Sequence, residues 1–546
     1  MKMFFSLKKA NNLGMITAII LAFLTSCSEA NLSDVNETAQ RPNILIIVAD
    51  DMGYTDVGAY GGEISTPNID SLANQGLTLT NFYTASTCSP TRTMLLTGVD
   101  HHLVGMGTMN GRVDVNQEGK RGYETYLNED AVTVSSLLKD SGYHTYMTGK
   151  WHLGYEPEYQ PQSRGFEKTF VLLQGAASHF DDPFGVVRSE TPQYMENGEP
   201  VTLPENFYST NNYTDKFIEY LEEDSSDDKP FFAYLAYTSP HWPLQVPEED
   251  LDLYKGRYDD GYEEIRKARF AKLKDLGLIG TNTDDSNVPF YITNWDSLPP
   301  EENIGRVLNY LKETNQYDNT FIIFMSDNGA EGNDLSQLGD NKEWFEERFD
   351  NSIENMGNEN SYIFQGAEWA RVSMTPFRDF KTFVTEGGIK VPAIVRYKGV
   401  PYSGLIDDEL ISVKDITPTL LELASVSHPG TTYKERKVHG MTGKSALSHF
   451  RDIDSPVHDL DDLHVWEFLG RQAVRKGDWK MIKQAQPYGE GEWELYNLKS
   501  DPTETKNVSA QYPEKIVQLL QEWESYKANN NIIMPINGEN LYARPN

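Results

Sequence analysis

Residues 43–51 read NILIIVADD, and this stretch decides the fold. Its first seven residues, Asn43 to Ala49, are almost all apolar and do not alternate with polar residues. Such a run is typical of a strand that is buried on both faces of a parallel sheet. The run ends at Asp50-Asp51, so the predicted strand delivers two carboxylates at its carboxyl end.

The same pattern recurs along the chain. Further apolar runs predict strands over Tyr143 to Thr148, Phe231 to Tyr237, Thr320 to Ser326 and Val391 to Tyr397. Helical patterns lie between them, such as Val132 to Ser141 and Asn303 to Thr314. Alternating strands and helices predict an α/β fold, with a large mixed, mostly parallel central sheet flanked by helices.

Polar residues follow four of these strands. After Asp50-Asp51 come Gly149-Lys150-Trp151-His152, Ser239-Pro240-His241 and Asp327-Asn328. Ligands of open α/β sheets bind outside the carboxyl ends of the strands. The sequence therefore predicts one shared site built from these acids, lysine and histidines.

The last hundred residues show a different sequence pattern. Short strand-like segments, His464 to Phe468, Trp479 to Lys483 and Trp493 to Leu498, are separated by turn signals and predict a small antiparallel sheet. A helical pattern follows at Tyr512 to Ala528. We therefore predict a main domain over residues 42–450 and a smaller α+β domain over residues 451–546. Within the main domain, Tyr254 to Leu278 reads as an amphipathic helix that caps it.

Composition excludes some partners. The chain has 546 residues, 38% of them hydrophobic, which is ample for a large core. Its formal net charge of −34 repels phosphate backbones, so nucleic acid is excluded as a partner. A site for an anionic substrate must therefore gather its own cations.

The N-terminus predicts export. Lys2, Lys8 and Lys9 precede an apolar stretch, Leu13 to Leu24, that is too short to span a bilayer. Leu24-Thr25-Ser26-Cys27 resembles a bacterial lipobox, which implies a signal peptide over residues 1–26, lipidation of Cys27 and a polar tether over residues 27–41. The alternative is an ordinary cleaved signal with an incidental cysteine. The lipobox implies an exported lipoprotein of the bacterial cell envelope, periplasmic or on the outer membrane, held to the membrane by its lipid anchor only.

Cys88 to Gly98 read CSPTRTMLLTG, a predicted helix with Pro90 in its first turn. Cys88 then lies at a helix N-terminus, which favours an anion, and Arg92 lies one turn further. On these residues alone, Cys88 is either a thiolate nucleophile or a small buried side chain.

The C-x-P-x-R pattern of this segment resembles the first signature of the type I sulfatases, members of the alkaline phosphatase superfamily. GKWHLG, residues 149–154, resembles the second signature. The resemblance extends from Pro42 to about Lys398 and is greatest to bacterial arylsulfatases of the Pseudomonas type. It implies hydrolysis of sulfate esters by Cα-formylglycine, which a maturation enzyme makes from Cys88. The natural substrate of such an enzyme is expected to be a sulfated glycan.

The metal prediction rests on ligand chemistry and on the resemblance. Asp50, Asp51, Asp327 and Asn328 offer only oxygen donors, which suit a hard cation and argue against zinc. The alternative for Asp50-Asp51 alone is a solvated strand end or helix cap. The resemblance implies that the ion is Ca²⁺ and that modified Cys88 is also a ligand.

The resemblance also implies catalytic roles for seven residues. Cys88 would be the nucleophile, Asp327 would accept its proton, and Arg92 and Lys150 would contact the aldehyde hydrate. His241 and Lys381 would bind the sulfate and the leaving group, and His152 would be the base for the second hydroxyl. Lys150, His241 and Lys381 would thereby bind the substrate. Lys381 is chosen over Lys390 because the family's lysine precedes the Gly-Gly turn. His101, His102 and His179 are left outside the catalytic set.

Two alternative functions remain: a different hydrolase activity and a non-catalytic binding role. The same cysteine motif occurs in phosphonate monoester and phosphodiester hydrolases of the superfamily. A non-catalytic lipoprotein that binds sulfated glycans is the third hypothesis, although every catalytic position is filled.

Overall fold

The computed structural model describes residues 41–182, 191–251, 253–285, 301–337, 341–486 and 488–538. The predicted signal peptide, Cys27 and the tether up to residue 40 lie outside the described residues. Among the described helices, none is both long enough and apolar enough to cross a membrane.

The centre of the protein is a mixed sheet of eleven strands in the described part of the chain. They are β1 Asn43–Ala49, β2 Leu77–Tyr83, β3 His144–Lys150, β4 Lys168–Leu172, β5 Tyr194–Glu196, β6 Glu199–Pro200, β7 Phe231–Ala236, β8 Thr320–Ser326, β9 Lys390–Arg396, β10 Leu405–Asp407 and β11 Ile411–Ser412. The order is β10-β2-β9-β8-β1-β7-β3-β4-β5-β6, and β11 also pairs with β2.

Strand β1 lies in the middle and is parallel to both neighbours, β7 and β8. Strand β3 is parallel to β7 and β4, whereas β9 runs antiparallel to β8 and β2. The predicted mixed, mostly parallel sheet is therefore confirmed.

Helices cover both faces of this sheet. The helices with described bounds are α1 Pro67–Asn74, α2 Cys88–Thr97, α3 Val134–Asp140, α4 Ser209–Glu223, α5 Tyr262–Asp275, α6 Glu301–Glu313, α7 Asn341–Glu346, α8 Gly366–Ser373, α9 Glu386–Ile389, α10 Ile416–Leu423, α11 Leu447–Arg451 and α12 Pro513–Asn529. Apolar residues of α2, α3 and α10 pack on one face, and those of α1, α4 and α6 pack on the other.

The alternation of β1 between these two cores explains its sequence. Ile44, Ile46 and Val48 point into the core under α2 and α3. The intervening Leu45, Ile47 and Ala49 point into the core under α4 and α6. Because both faces are buried, the strand needs apolar residues at every position.

One predicted helix is shorter than expected. The pattern from Tyr254 to Leu278 corresponds to α5, which begins only at Tyr262. Gly261 has a φ of 82°, outside the helical region, so the chain turns before the helix starts. Buried Arg269 of α5 forms ion pairs with Asp56 and Glu63, each at 2.7 Å, and these pairs fasten the helix to the main domain.

The C-terminal region forms the predicted antiparallel sheet. Its strands are β14 Leu463–Phe468, β15 Arg471–Lys476, β16 Trp479–Lys483 and β17 Glu494–Asn497; a separate hairpin pairs β12 Thr432–Tyr433 with β13 Arg436–Lys437. One face of the four-stranded sheet packs on Leu519 and Trp523 of α12. The other face packs on Tyr83, Val384 and Ile389 of the main domain. The boundary between residues 450 and 451 stays a prediction.

A buried ionic cluster joins the two regions. His102 Nδ1 lies 2.9 Å from Asp100 Oδ1, and His102 Nε2 lies 3.1 Å from Glu467 Oε2 on β14. The Tyr526 hydroxyl of α12 donates to the other oxygen of Asp100. Burial lowers the pKa of His102, but Asp100 and Glu467 outweigh it and raise that pKa to about 9. Burial instead lowers the pKa of the neighbouring His101 to about 3.

This cluster predicts a pH dependence of stability. Because the folded pKa of His102 is about 9 and the reference value is 6.5, its contribution is complete below pH 6.5 and is lost as the pH rises through 9. His102→Gln should therefore lower stability by about 3 kcal/mol near pH 6, and the deficit should shrink towards pH 9.5. Apparent melting temperatures of both proteins across this range measure the deficit.

His101→Gln is the matched control, because His101 is neutral in both states above about pH 7.5 and its deficit should stay flat there. A His102→Gln deficit that stays constant from pH 6 to 9.5 would contradict a charged His102.

Candidate active site

Four oxygen-bearing side chains meet at the carboxyl ends of two adjacent strands. Asp50 and Asp51 follow β1, and Asp327 and Asn328 follow β8. The Asp51 amide donates to Asp327 Oδ1 over 3.2 Å. None of the four residues is more than 1% exposed.

This group has the properties of a hard-cation site. Asp50 Oδ1 and Asn328 Oδ1 are buried and have no hydrogen-bond partner among the described residues. One ligand atom each of Asp50, Asp327 and Cys88 lies within 4.8 Å of the others. Buried oxygens without donors are costly unless a cation neutralises them, and oxygen ligands suit Ca²⁺ or Mg²⁺. The residues present therefore fit a calcium ion.

Three buried cations surround the acids. Arg92, one turn into α2, places Nη2 at 2.7 Å from Asp327 Oδ2 and donates from Nη1 to the Lys150 carbonyl over 2.9 Å. Lys150 Nζ, at the end of β3, lies 2.6 Å from Asp50 Oδ2. Lys381 Nζ lies 2.8 Å from Asp51 Oδ2. Burial raises the pKa of Asp51, but Lys381 and His241 outweigh burial and lower it to about 2.

Sequence reasoning missed Glu331, which completes this charge cluster. Its Oε2 lies 3.0 Å from Lys381 Nζ, and the residue is 4% exposed. Four acidic groups thus face three cations, and burial raises the pKa of one of them, Asp50, well above its usual range. With all four ionised, as cation binding requires, the cluster carries one net negative charge. A divalent cation and the single negative charge of a sulfate ester together bring the site to neutrality. The sequence feature that could have identified Glu331 is its position in DNGAEG, three residues after Asn328.

Cys88 begins α2, as predicted, and is 2% exposed. Its Sγ lies 3.3 Å from His152 Nδ1. Burial raises the pKa of Cys88, so the unmodified side chain is a thiol at neutral pH and a poor nucleophile. The pKa of His152 is lowered by burial and by the charges of Lys150 and Arg92, which keeps it neutral, as a base must be.

Two further small residues shape the site, and neither was predicted. Ser89 Oγ lies 3.4 Å from His152 Nδ1. Gly175 lies against the His152 ring, where an added Cβ would come within 2.5 Å of Cε1. Such tertiary contacts leave no local sequence signal.

His241 approaches from the loop after β7. Its Nε2 lies 3.3 Å from Asp51 Oδ2, and its Nδ1 donates to the Trp242 carbonyl over 2.8 Å. This hydrogen bond directs Nε2 into the site. His179 supports the arrangement because its Nε2 lies 3.2 Å from the His241 carbonyl.

The structure thus brings together all the predicted site residues after Cys27. Of the residues left out, His179 contacts the His241 carbonyl, whereas Lys390, His101 and His102 have other partners. Lys390 pairs with Glu386 at 3.3 Å instead of lying with the acids. His101 bonds to the Met106 carbonyl over 2.7 Å, and His102 lies in the ionic cluster described above. Both ring nitrogens of His102 are engaged, so this cluster is structural.

Comparison with known proteins defines the class. Residues 42–426 match the family described as Sulfatase, and residues 377–528 match one described as N-sulphoglucosamine sulphohydrolase, C-terminal. An uncharacterised sulfatase of Schizosaccharomyces pombe is 42% identical over 91% of this chain and 95% of its own length. An arylsulfatase of Klebsiella aerogenes is 36% identical over 74% of this chain and 91% of its own length.

A solved structure shares the fold. The crystal structure of Ps i-CgsB in complex with k-i-k-neocarrahexaose has a TM-score of 0.66 at 24% identity, covering 93% of this chain and 98% of that one. Fold, site and relatives together define a sulfuric ester hydrolase. The chain belongs to the sulfatase family, whose members generally use Ca²⁺ and formylglycine.

The charge cluster makes Arg92 critical for stability. Arg92→Met leaves Asp327 buried beside Asp50 without its cation, which should cost about 3–5 kcal/mol. Apparent melting temperatures, taken with a chelator present, should show this loss. The double variant Arg92→Met/Asp327→Asn should recover part of it; a melting temperature unchanged in Arg92→Met would show that the pair does not stabilise the fold.

Proposed function

We propose that this sulfatase acts through Cα-formylglycine made from Cys88, with Ca²⁺ held by Asp50, Asp51, Asp327 and Asn328. The observation that carries the proposal is the position of Cys88 at a helix N-terminus, where its Sγ lies 3.3 Å from His152 Nδ1 and one ligand atom each of Cys88, Asp50 and Asp327 lies within 4.8 Å of the others. Cys88 there lies beside a candidate metal site and a neutral base, His152.

Calcium, when bound, would supply positive charge that offsets the negative charge on the sulfate oxygens and on the hydroxyl group that attacks sulfur. Asn328 Oδ1 and Asp50 Oδ1 support this assignment, because neither accepts a hydrogen bond among the described residues, and Asp50 Oδ1 lies 3.7 Å from Arg92 Nη2. Modified Cys88 would be a further ligand.

As the hydrated aldehyde, Cys88 supplies two hydroxyls, one to attack sulfur and one to permit elimination of sulfate. Asp327 would accept the proton of the attacking hydroxyl. Arg92 holds Asp327 in place over 2.7 Å and lies against the hydrate. Lys150 would contact both the hydrate and a sulfate oxygen. His152 is placed to take the proton of the second hydroxyl, which restores the aldehyde.

His241 and Lys381 face the opposite side of the site and converge on Asp51 Oδ2. We assign them to the sulfate oxygens and to the leaving oxygen, which needs a proton when the leaving group is an alcohol. Glu331 would keep Lys381 charged after Asp51 binds the metal.

The substrate class we propose is a sulfated glycan, with activated aryl sulfates as assay substrates. The match of residues 377–528 to the C-terminal part of an N-sulphoglucosamine sulphohydrolase supports a saccharide leaving group. The N-terminal sequence supports export, with a lipid anchor at Cys27 and a location in the bacterial cell envelope. A formylglycine-generating enzyme is then a required partner.

The peptide that contains residue 88 tests the modification. In protein from cells with a maturation enzyme, mass spectrometry should show loss of the sulfur and gain of an aldehyde. Cys88→Ala and Asp327→Ala should each reduce turnover of an aryl sulfate more than 1,000-fold, roughly the loss that removal of a nucleophile or its base causes.

Cooperative thermal unfolding with calcium serves as the folding control; Cys88→Ala should melt near the wild-type temperature, whereas Asp327→Ala should melt lower because buried Arg92 loses its partner. An intact thiol in active protein, or full activity in either variant, would refute the mechanism. Faster turnover of a phosphate diester than of an aryl sulfate would favour the phosphodiesterase alternative.

Calcium binding makes a separate prediction. Removing the metal with a chelator should abolish turnover and lower the apparent melting temperature, and added Ca²⁺ should restore both. Asp50→Asn should weaken Ca²⁺ binding at least 10-fold in calorimetry, because a charged ligand is lost. Asp70→Asn changes an acid of α1 that accepts from the Ala59 amide over 2.7 Å and from the Thr66 hydroxyl over 2.9 Å; it is the control and should leave affinity unchanged.

A further inference from the structure

We propose that Arg471, at the start of β15, is a positioning residue that fixes the loop carrying Lys381. The inference rests on the proposed role of Lys381 in the site. It assigns a catalytic contribution to the C-terminal sheet, which supplies none of the residues that contact the substrate in the mechanism above.

Lys381 lies in an irregular segment between α8 and α9. Its backbone is tied to two catalytic loops: the Lys381 amide donates to the Ala330 carbonyl over 3.0 Å, and the Thr382 amide donates to the Ser86 carbonyl over 2.7 Å. Thr382 has a φ of 75°, a left-handed conformation that is unfavourable for a β-branched residue. Such a conformation persists only when surrounding contacts hold it.

Arg471 provides a further contact, from the C-terminal sheet. Its Nη1 donates to the Thr382 carbonyl over 3.2 Å. Its guanidinium lies over the Phe383 ring at 4.4 Å and is 5.9 Å from the centre of the Tyr488 ring. The residue is 2% exposed, so the planar group is held between the strained peptide and the adjacent ring.

The turn that precedes Arg471 is itself anchored at the site. Phe468 and Leu469 pack against Cys88 and Met109. Glu467, at the base of the turn, accepts from the Gly470 amide over 2.9 Å and pairs with His102. The hairpin of β14 and β15 therefore contacts the start of α2, the loop after α2 and the segment that carries Lys381.

The segment that carries Lys381 ends at α9, and α9 is bound to the same sheet. Lys480 of β16 lies 2.7 Å from both Glu386 of α9 and Glu504. The Glu386 amide also donates to Glu504 Oε2 over 2.9 Å. Because α9 is fixed there, loss of the Arg471 contact should free mainly the segment around Lys381 and Thr382.

The experiment is a double-mutant cycle between Arg471→Met and Lys381→Ala, assayed on mature, calcium-loaded enzyme. Aryl sulfates with good and poor leaving groups are compared. In the wild-type background, Arg471→Met should lower kcat about 10–100-fold, since small misplacements of a catalytic group have such effects, with the largest loss for the poorest leaving group. In the Lys381→Ala background, it should lower kcat less than 2-fold, because it acts through that lysine.

Two variants separate positioning from general stability. Arg475→Met removes another arginine of β15, one that donates to the Tyr83 hydroxyl over 2.6 Å, and should lower the melting temperature without changing the leaving-group dependence. Arg471→Lys keeps a donor but not the planar stack and should recover part of kcat.

Multiplicative losses in the double variant, or an equal loss for all leaving groups, would overturn the role of Arg471 and leave the proposed function intact. Wild-type kcat in Lys381→Ala with every substrate would overturn both proposals.

Discussion

The burial of four carboxylates at one edge of the central sheet is the constraint on which the site depends. Asp50, Asp51, Asp327 and Glu331 are at most 4% exposed. Buried charges are tolerated only when they are paired, so each acid requires a cation from another element. Helix α2 supplies Arg92, β3 supplies Lys150, and the loop before α9 supplies Lys381. The need to pair the buried carboxylates with cations therefore fixes where these elements lie, and the same carboxylates form the binding site.

The part of the site that the sequence predicts is the part that strand geometry controls. Parallel strands that end at one edge bring their next residues together, so Asp50, Lys150, His241 and Asp327 could be placed from the apolar runs alone. The resemblance to sulfatases then identified Cys88 and selected Lys381 over Lys390.

The remaining features depend on contacts between distant parts of the chain. Arg471 meets Thr382 across 89 residues, and Glu467 meets His102 across 365 residues. No periodicity encodes such pairs. The start of α5 was also missed, because a glycine within an amphipathic pattern decides whether the helix continues or turns. Short strands such as β10 and β11 owe their conformation to their neighbour β2 and not to their own sequence.

The complete burial of α2 has a consequence for the order of events during biosynthesis. Arg92 pairs with Asp327, 235 residues later in the chain, and at 5–20 residues per second the ribosome needs roughly 10–50 s to make the intervening segment. Until β8 joins the sheet, Arg92 lacks the carboxylate of Asp327, although its other partners, the Lys150 carbonyl and the Tyr234 hydroxyl, are made earlier. Residue 88, which is 2% exposed in the folded protein, therefore becomes enclosed only after the distant strand β8 has joined the sheet.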